Sequence, residues 1–228
     1  MGTSTIMVIR HAEKPDSYGA AATAYAGVDA TGSFAGAKDG AEHLVTQGWQ
    51  RAGGLVSLLA PRAPGAAPRP PLVVPQYLFA ADPGTLADRH SPSKRPAETL
   101  DGVAAALGLA VNTSFAKDDY AAMVTAALAC DGPVLICWQH ELIPLLQTDG
   151  KTPGIAQEIL TQTGTPAALA HGWRVPSAWP EGPLWPGGKA EARYDLVFVF
   201  QRAGDSGPVA EFSLVGQYLL AGDAAPPA

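Results

Sequence analysis

The chain begins almost at once with a short apolar run that ends in charge, Thr5-Ile6-Met7-Val8-Ile9-Arg10-His11. Ile6 to Ile9 is rich in β-branched residues and reads as a buried strand, and Pro15 stops the chain from continuing regularly beyond it. In open α/β sheets, ligands bind in the crevice outside the carboxyl ends of the strands. An Arg-His pair delivered to such an edge can meet a small anion. It can also be no more than a charged strand end reaching water, because a single dipeptide is not diagnostic.

Two later segments supply matching parts. Ser91-Pro92-Ser93-Lys94-Arg95-Pro96-Ala97-Glu98-Thr99 follows the strand-like Tyr77-Leu78-Phe79 and leads into a helical pattern. Val134-Leu135-Ile136-Cys137-Trp138-Gln139-His140-Glu141 is a second buried-type strand with a histidine just past its end. Between them the pattern alternates strand and helix. Strands are expected at 5 to 10, 76 to 80, 109 to 113, 133 to 138, 194 to 201 and 209 to 215. Helices are expected at 41 to 60, 94 to 108, 117 to 130, 141 to 147 and 154 to 163. Leu100, Val103, Ala104 and Leu107 share one face of the second helix, and Gly108 fits its stop. This alternation predicts a three-layer α/β/α sandwich with a mostly parallel mixed sheet and an antiparallel strand near the C-terminal hairpin.

One domain spanning 1 to 228 accounts for the length, given an insertion at about 16 to 40 and an irregular segment at about 171 to 190. The insertion is rich in Gly, Ala, Thr and Ser and reads as a candidate lid. The tail from Gly222 reads as loose. Hydrophobic residues make up 47% of the chain and charged residues 16%, which excludes disorder. A net charge of −6 repels nucleic acid and acidic membranes, so any anion site must be local. No membrane partner and no nucleic acid partner is expected, and oligomeric state is left open. Without a basic and apolar leader at the N-terminus, the cytoplasm is the default compartment. Cys130 and Cys137 do not suggest a structural disulfide.

The ordered set of Arg10-His11, Ser91-Pro-x-x-Arg95-x-x-x-Thr99 and the strand-end His140 resembles the histidine phosphatase superfamily, the phosphoglycerate-mutase-like proteins. The resemblance extends to the late strand Tyr194 to Phe200. It implies hydrolysis of a small phosphorylated substrate, with His11 as the nucleophile that forms a phosphohistidine and His140 as its partner across the pocket. Residue chemistry is compatible with this. Arg10 and Arg95 carry planar forks suited to phosphate oxygens, and a neutral imidazole can attack phosphorus. The scheme needs no metal and no cofactor.

Other roles stay open at this level. Ser91 and Thr99 bind phosphate or cap the helix near Arg95, and Lys14 touches substrate or is solvated like Glu13. The proton for the leaving group comes from Glu141 first, or from Asp118 or Asp119. Ala12 and Gln139 stand where the family pattern has glycine, which narrows the pocket floor. The extra charged residues with which mutases hold a sugar acid are not found, so hydrolysis is favoured over isomerisation. A mutase, or a binding protein that lost turnover, remains the alternative. His43, His90 and His171 show no ligand spacing and read as surface or loop residues. Gly150-Lys151-Thr152, His140-Glu141 and Gly204-Asp205-Ser206-Gly207 fail as P-loop, zinc-protease and serine-protease motifs for lack of the rest of each pattern.

Overall fold

The computed structural model describes residues 2–15, 27–33, 42–84, 93–166, 169, 172–182 and 193–227. The strands are β1 (Thr5–Arg10), β2 (Tyr77–Ala81), β3 (Val111–Phe115), β4 (Val134–Trp138), β5 (Leu196–Arg202) and β6 (Val209–Gly216). They form one sheet in the order β3-β2-β4-β1-β5-β6. The β3–β2, β2–β4 and β4–β1 pairs are parallel, and β5 runs antiparallel to both β1 and β6. The expected mixed sheet with a C-terminal hairpin is therefore present.

Among the described residues four helices cover it, α1 (Thr46–Leu59), α2 (Arg95–Leu107), α3 (Tyr120–Leu128) and α4 (Ile155–Gln162). Alternation along each strand sorts the core into two layers. Met7, Ile9, Leu135, Cys137, Val197 and Val199 pack with Leu55 and Leu59 of α1 and Leu100 and Val103 of α2. Ile6, Val8, Val134, Ile136, Trp138 and Phe198 pack with Met123 and Val124 of α3 and Ile155 and Ile159 of α4. Since β1 and β4 are buried on both faces, they lack a polar alternation and read as continuous apolar runs.

Connectivity then opens a crevice at one place. Arg10 pairs with Trp138 in register, so the chain leaves β1 and β4 side by side. From β1 it continues to α1 on one face, and from β4 to α4 on the other. The diverging connections leave a gap at the carboxyl ends of two adjacent parallel strands, the position where α/β sheets bind ligands.

Several local expectations change. The segment 141 to 147 is not an α-helix: a single 3-10 turn at His140–Leu142 gives way to a loop in which Leu146 bridges Pro153. Pro144 lacks the N–H a helix would use, and Gly154 is needed because a Cβ there would lie 2.2 Å from the Pro144 carbonyl oxygen. The segment 117 to 130 starts as a 3-10 turn, Lys117–Asp119, before α3. Gly108 ends α2 as expected, in the left-handed region at φ 67°. The tail is tied down at least to Ala225. Asp223 pairs with Arg51 and the Ala225 carbonyl accepts from Arg193. Most of the 16 to 40 lid segment lies outside the described residues, as do Ser91, His90, His171 and residues 183–190. No helix among the described residues is long and apolar enough to cross a membrane.

Candidate active site

At the carboxyl ends of β1 and β4 lies a cavity of about 380 Å³. His11 and Lys14 reach it from the turn after β1, Ser93 and Arg95 from the start of α2, and Lys117 from the turn after β3. Gln139, His140, Glu141 and Thr148 come from the chain after β4. Four connections separated by up to 137 positions in sequence thus contribute to one wall. Among the described residues three cations, Lys14, Arg95 and Lys117, face it against one carboxylate, Glu141. In a chain of net charge −6 this is a local positive basin.

His11 is buried, and its position is fixed by backbone bonds. Its N–H donates to the Trp138 carbonyl at 3.1 Å, which extends the β1–β4 ladder by one residue. Ring Nδ1 lies 2.7 Å from the Ala12 carbonyl oxygen. A carbonyl only accepts, so Nδ1 carries the proton and Nε2 holds the lone pair. Burial, then the charges of Arg95 and Arg10, push the His11 pKa well below its ordinary value. His11 is therefore neutral at neutral pH.

Arg95 is half-buried and its Nε donates to Ser93 Oγ at 3.0 Å. The Thr99 hydroxyl, one turn into α2, donates to the Arg95 carbonyl and accepts from the Ala12 N–H. It caps nothing and does not line the cavity. Instead it ties the start of α2 to the turn that carries His11.

Arg10 occupies the layer behind the cavity. It is 1% exposed, with its guanidinium carbon 3.7 Å from the Tyr194 ring centroid and Nη2 3.1 Å from the Tyr194 hydroxyl. Its charge still reaches forward, lowering the pKa of both His11 and His140. Arg10 thus acts on the cavity through its field, while the wall itself carries Arg95, Lys14 and Lys117.

His140 and Glu141 sit together on the far wall. Burial and Arg10 hold the His140 pKa down, opposed in part by Glu141, so the ring is neutral. Its Nδ1 lies 3.1 Å from Glu141 Oε2 but is angled away from a hydrogen bond. Burial pushes the Glu141 carboxyl up, but Lys117 Nζ at 2.7 Å from Oε1 outweighs it, and the group stays a carboxylate. Trp138 positions this cation by donating its indole N–H to the Lys117 carbonyl at 3.0 Å. Asp118 is exposed, and neither Asp118 nor Asp119 lines the cavity.

Lys117, Ser93 and Thr148 were not legible as wall residues, whereas Gln139 was expected at the pocket floor and lines the cavity. Lys117 carries no motif, and only the 3-10 turn after β3 turns it inward. Glu13 also departs from its expected solvated place: it is 1% exposed and accepts from Arg51 Nε and Nη2 at 2.9 and 2.8 Å. His43 is buried rather than on the surface, donating from Nδ1 to Glu98 and accepting from Lys94 Nζ at Nε2. Glu98 also accepts from the Leu44 N–H. These two hydrogen-bonded clusters fix the turn after β1 and the segment before α1.

No protein-family model matches the chain, and no curated protein sequence matches it. Among solved structures, the native structure of mycobacterial glucosyl-3-phosphoglycerate phosphatase aligns with a TM-score of 0.41 at 12% identity, covering 93% of this chain and 97% of that one. A likeness of this degree establishes neither family nor activity. What the fold and the cavity do define is an α/β/α protein with a basic, histidine-containing pocket at the carboxyl ends of its central parallel strands.

Proposed function

We propose that the protein is a phosphatase of the histidine phosphatase type, which hydrolyses a phosphomonoester through a covalent phosphohistidine on His11 without a metal. The observation that carries this reading is the tautomer of His11. Its Nδ1–H is held by the Ala12 carbonyl, leaving a neutral Nε2 nucleophile in a cavity shared with Arg95, Lys14 and Lys117.

The dianion of a phosphomonoester enters the positive basin and takes charge-assisted hydrogen bonds from Arg95, Lys14 and Lys117, each contributing about 1.5 to 3 kcal/mol. These cations supply the charge stabilisation that equatorial phosphoryl oxygens need. The His11 Nε2 lone pair attacks phosphorus as the bond to the ester oxygen breaks. Glu141 is the proton carrier. In the unoccupied protein Lys117 keeps it ionised, but a bound dianion competes for Lys117 and adds negative charge beside the carboxylate, and both effects raise its pKa. Glu141 thereby gains the proton that it gives to the departing alkoxide. As a carboxylate again, it accepts a proton from the water that attacks the phosphohistidine, and inorganic phosphate leaves with His11 neutral once more. His140, a neutral imidazole, donates its one ring N–H to a phosphoryl oxygen.

The test is phosphate release from p-nitrophenyl phosphate in excess EDTA, comparing wild type with His11→Ala. Chelator-resistant turnover that falls by about 10⁴-fold or more in the variant is expected. Acid-quenched wild type should yield an alkali-stable phosphoenzyme. Turnover by His11→Ala at the wild-type rate would remove His11 as nucleophile, and no release by wild type would favour the mutase or binding alternative.

A further inference from the structure

Beyond His140 and Glu141 lies a second cavity of about 260 Å³ with different chemistry. The two cavities share His140, Glu141 and Thr148. The second adds the apolar side chains of Pro144, Leu146, Ala178 and Trp179, and one acid, Glu181. Among the described residues it adds no cation.

Its aromatic wall is rigid. The Trp179 indole stacks on Phe198 at 5.4 Å between centroids with planes 9° apart, and its N–H donates to the Arg193 carbonyl at 2.8 Å. With one face and the N–H engaged, what the indole offers the cavity is ring carbon. Its orientation toward the first cavity is edge-on to His140, 6.4 Å between centroids. The opposing loop is fixed against the same segment, because the Leu145 and Leu146 N–H groups donate to the Pro176 and Ser177 carbonyls at 3.0 and 3.1 Å. Preformed apolar walls of this kind bind without an ordering cost.

We infer that this second cavity is the subsite for the leaving alcohol of the ester, and that the alcohol is an uncharged aryl or bulky alkyl group. The inference rests on the phosphatase reading of the adjoining cavity. Among the described residues His140, Glu141 and Thr148 border both the cavity that holds Lys14, Arg95 and Lys117 and the one with the apolar walls, so an ester with its phosphoryl group in the first reaches the second past them. An apolar cavity of about 150 Å³ is enough for benzene, so this one takes a substituted ring or a fused pair. Glu181 repels a leaving group that carries a carboxylate or a second phosphate.

Non-hydrolysable phosphonates separate the subsite from the chemistry. Isothermal titration of wild type with 1-naphthylmethylphosphonate and 2-hydroxyethylphosphonate should show the naphthyl compound binding about ten-fold tighter or more. Leu146→Asp, at a half-buried position, and Trp179→Ala should each bring that ratio close to one while the hydroxyethyl compound keeps its affinity within about two-fold. Circular dichroism confirms that the variants are folded, and Leu146→Asp decides the matter if Trp179→Ala is not. Glu181→Lys should improve binding of 3-phosphonopropionate. Equal affinity for the two phosphonates, or a preference that Leu146→Asp leaves intact, overturns the subsite. Binding of neither phosphonate overturns the anion site and the subsite together. Failure of the hydrolase reading is distinct: no monoester releases phosphate while the phosphonate preference persists.

Discussion

The Thr99 hydroxyl accepts the backbone N–H of Ala12 at 2.9 Å, across 87 positions of sequence, while donating to the Arg95 carbonyl at 2.7 Å. This single side chain sets the distance between the nucleophile's turn and the helix that delivers the phosphate-binding arginine. Thr99→Val keeps the shape but orphans a buried N–H, which costs about 1 to 3 kcal/mol. Urea unfolding should show that loss, and kcat for p-nitrophenyl phosphate should fall because the two motifs lose their tie. Thr99→Ser should restore most of both, an outcome that a purely volumetric role for Thr99 does not produce.

Glu13 and Asp223 share Arg51 in a buried site next to the His11 turn. Gly48 belongs to the same arrangement, since a Cβ there would lie 2.6 Å from the Glu13 carbonyl oxygen. Arg51→Met leaves two buried carboxylates facing each other without a cation. The expected loss is about 3 to 5 kcal/mol, read as a lower urea midpoint. Arg51→Met combined with Glu13→Gln should recover part of it, and identical midpoints for the single and double variants would refute the assignment.

His11 makes stability depend on pH. In the unfolded chain its imidazole takes a proton as the pH falls through about 6.5, whereas burial, Arg95 and Arg10 resist that proton in the fold. The unfolded state then binds more protons, so the contribution is intact above about 6.5 and is lost as the pH falls below it, by up to about 1.4 kcal/mol per pH unit. Urea midpoints measured from pH 7 to pH 5 should fall more steeply for wild type than for His11→Asn. In the NMR spectrum of the free protein, the His11 ring should show no titration near pH 6.5.

Lys117 holds Glu141 as a carboxylate through a 2.7 Å contact. Lys117→Met removes the partner while burial remains, so the Glu141 pKa should rise, which carbon-detected NMR of the labelled carboxyl can follow. The same change removes a donor to the phosphoryl oxygens and should lower kcat/KM by about 10²- to 10³-fold. A Glu141 titration that does not move would show that Lys117 is not its counter-ion.

Local sequence determined the strands and what stands at their ends. The apolar runs ending in Arg10-His11 and Gln139-His140 could only be buried strands with polar exits, and the spacing of Leu100, Val103 and Ala104 before Gly108 defined α2. Those signals lie within a few residues of one another, where backbone geometry and periodicity act directly. Tertiary structure decided everything that depends on a distant partner. Register between β1 and β4 set His11 beside His140, and Arg51, 38 positions away, turned Glu13 from a loop acid into a buried one. Tyr194, 184 positions from Arg10, drew that arginine behind the cavity. The turn after β3 put Lys117, rather than Asp118 or Asp119, on the wall. A buried charge goes where its counter-charge and hydrogen bonds are, and the positions of those partners exist only once the sheet has assembled.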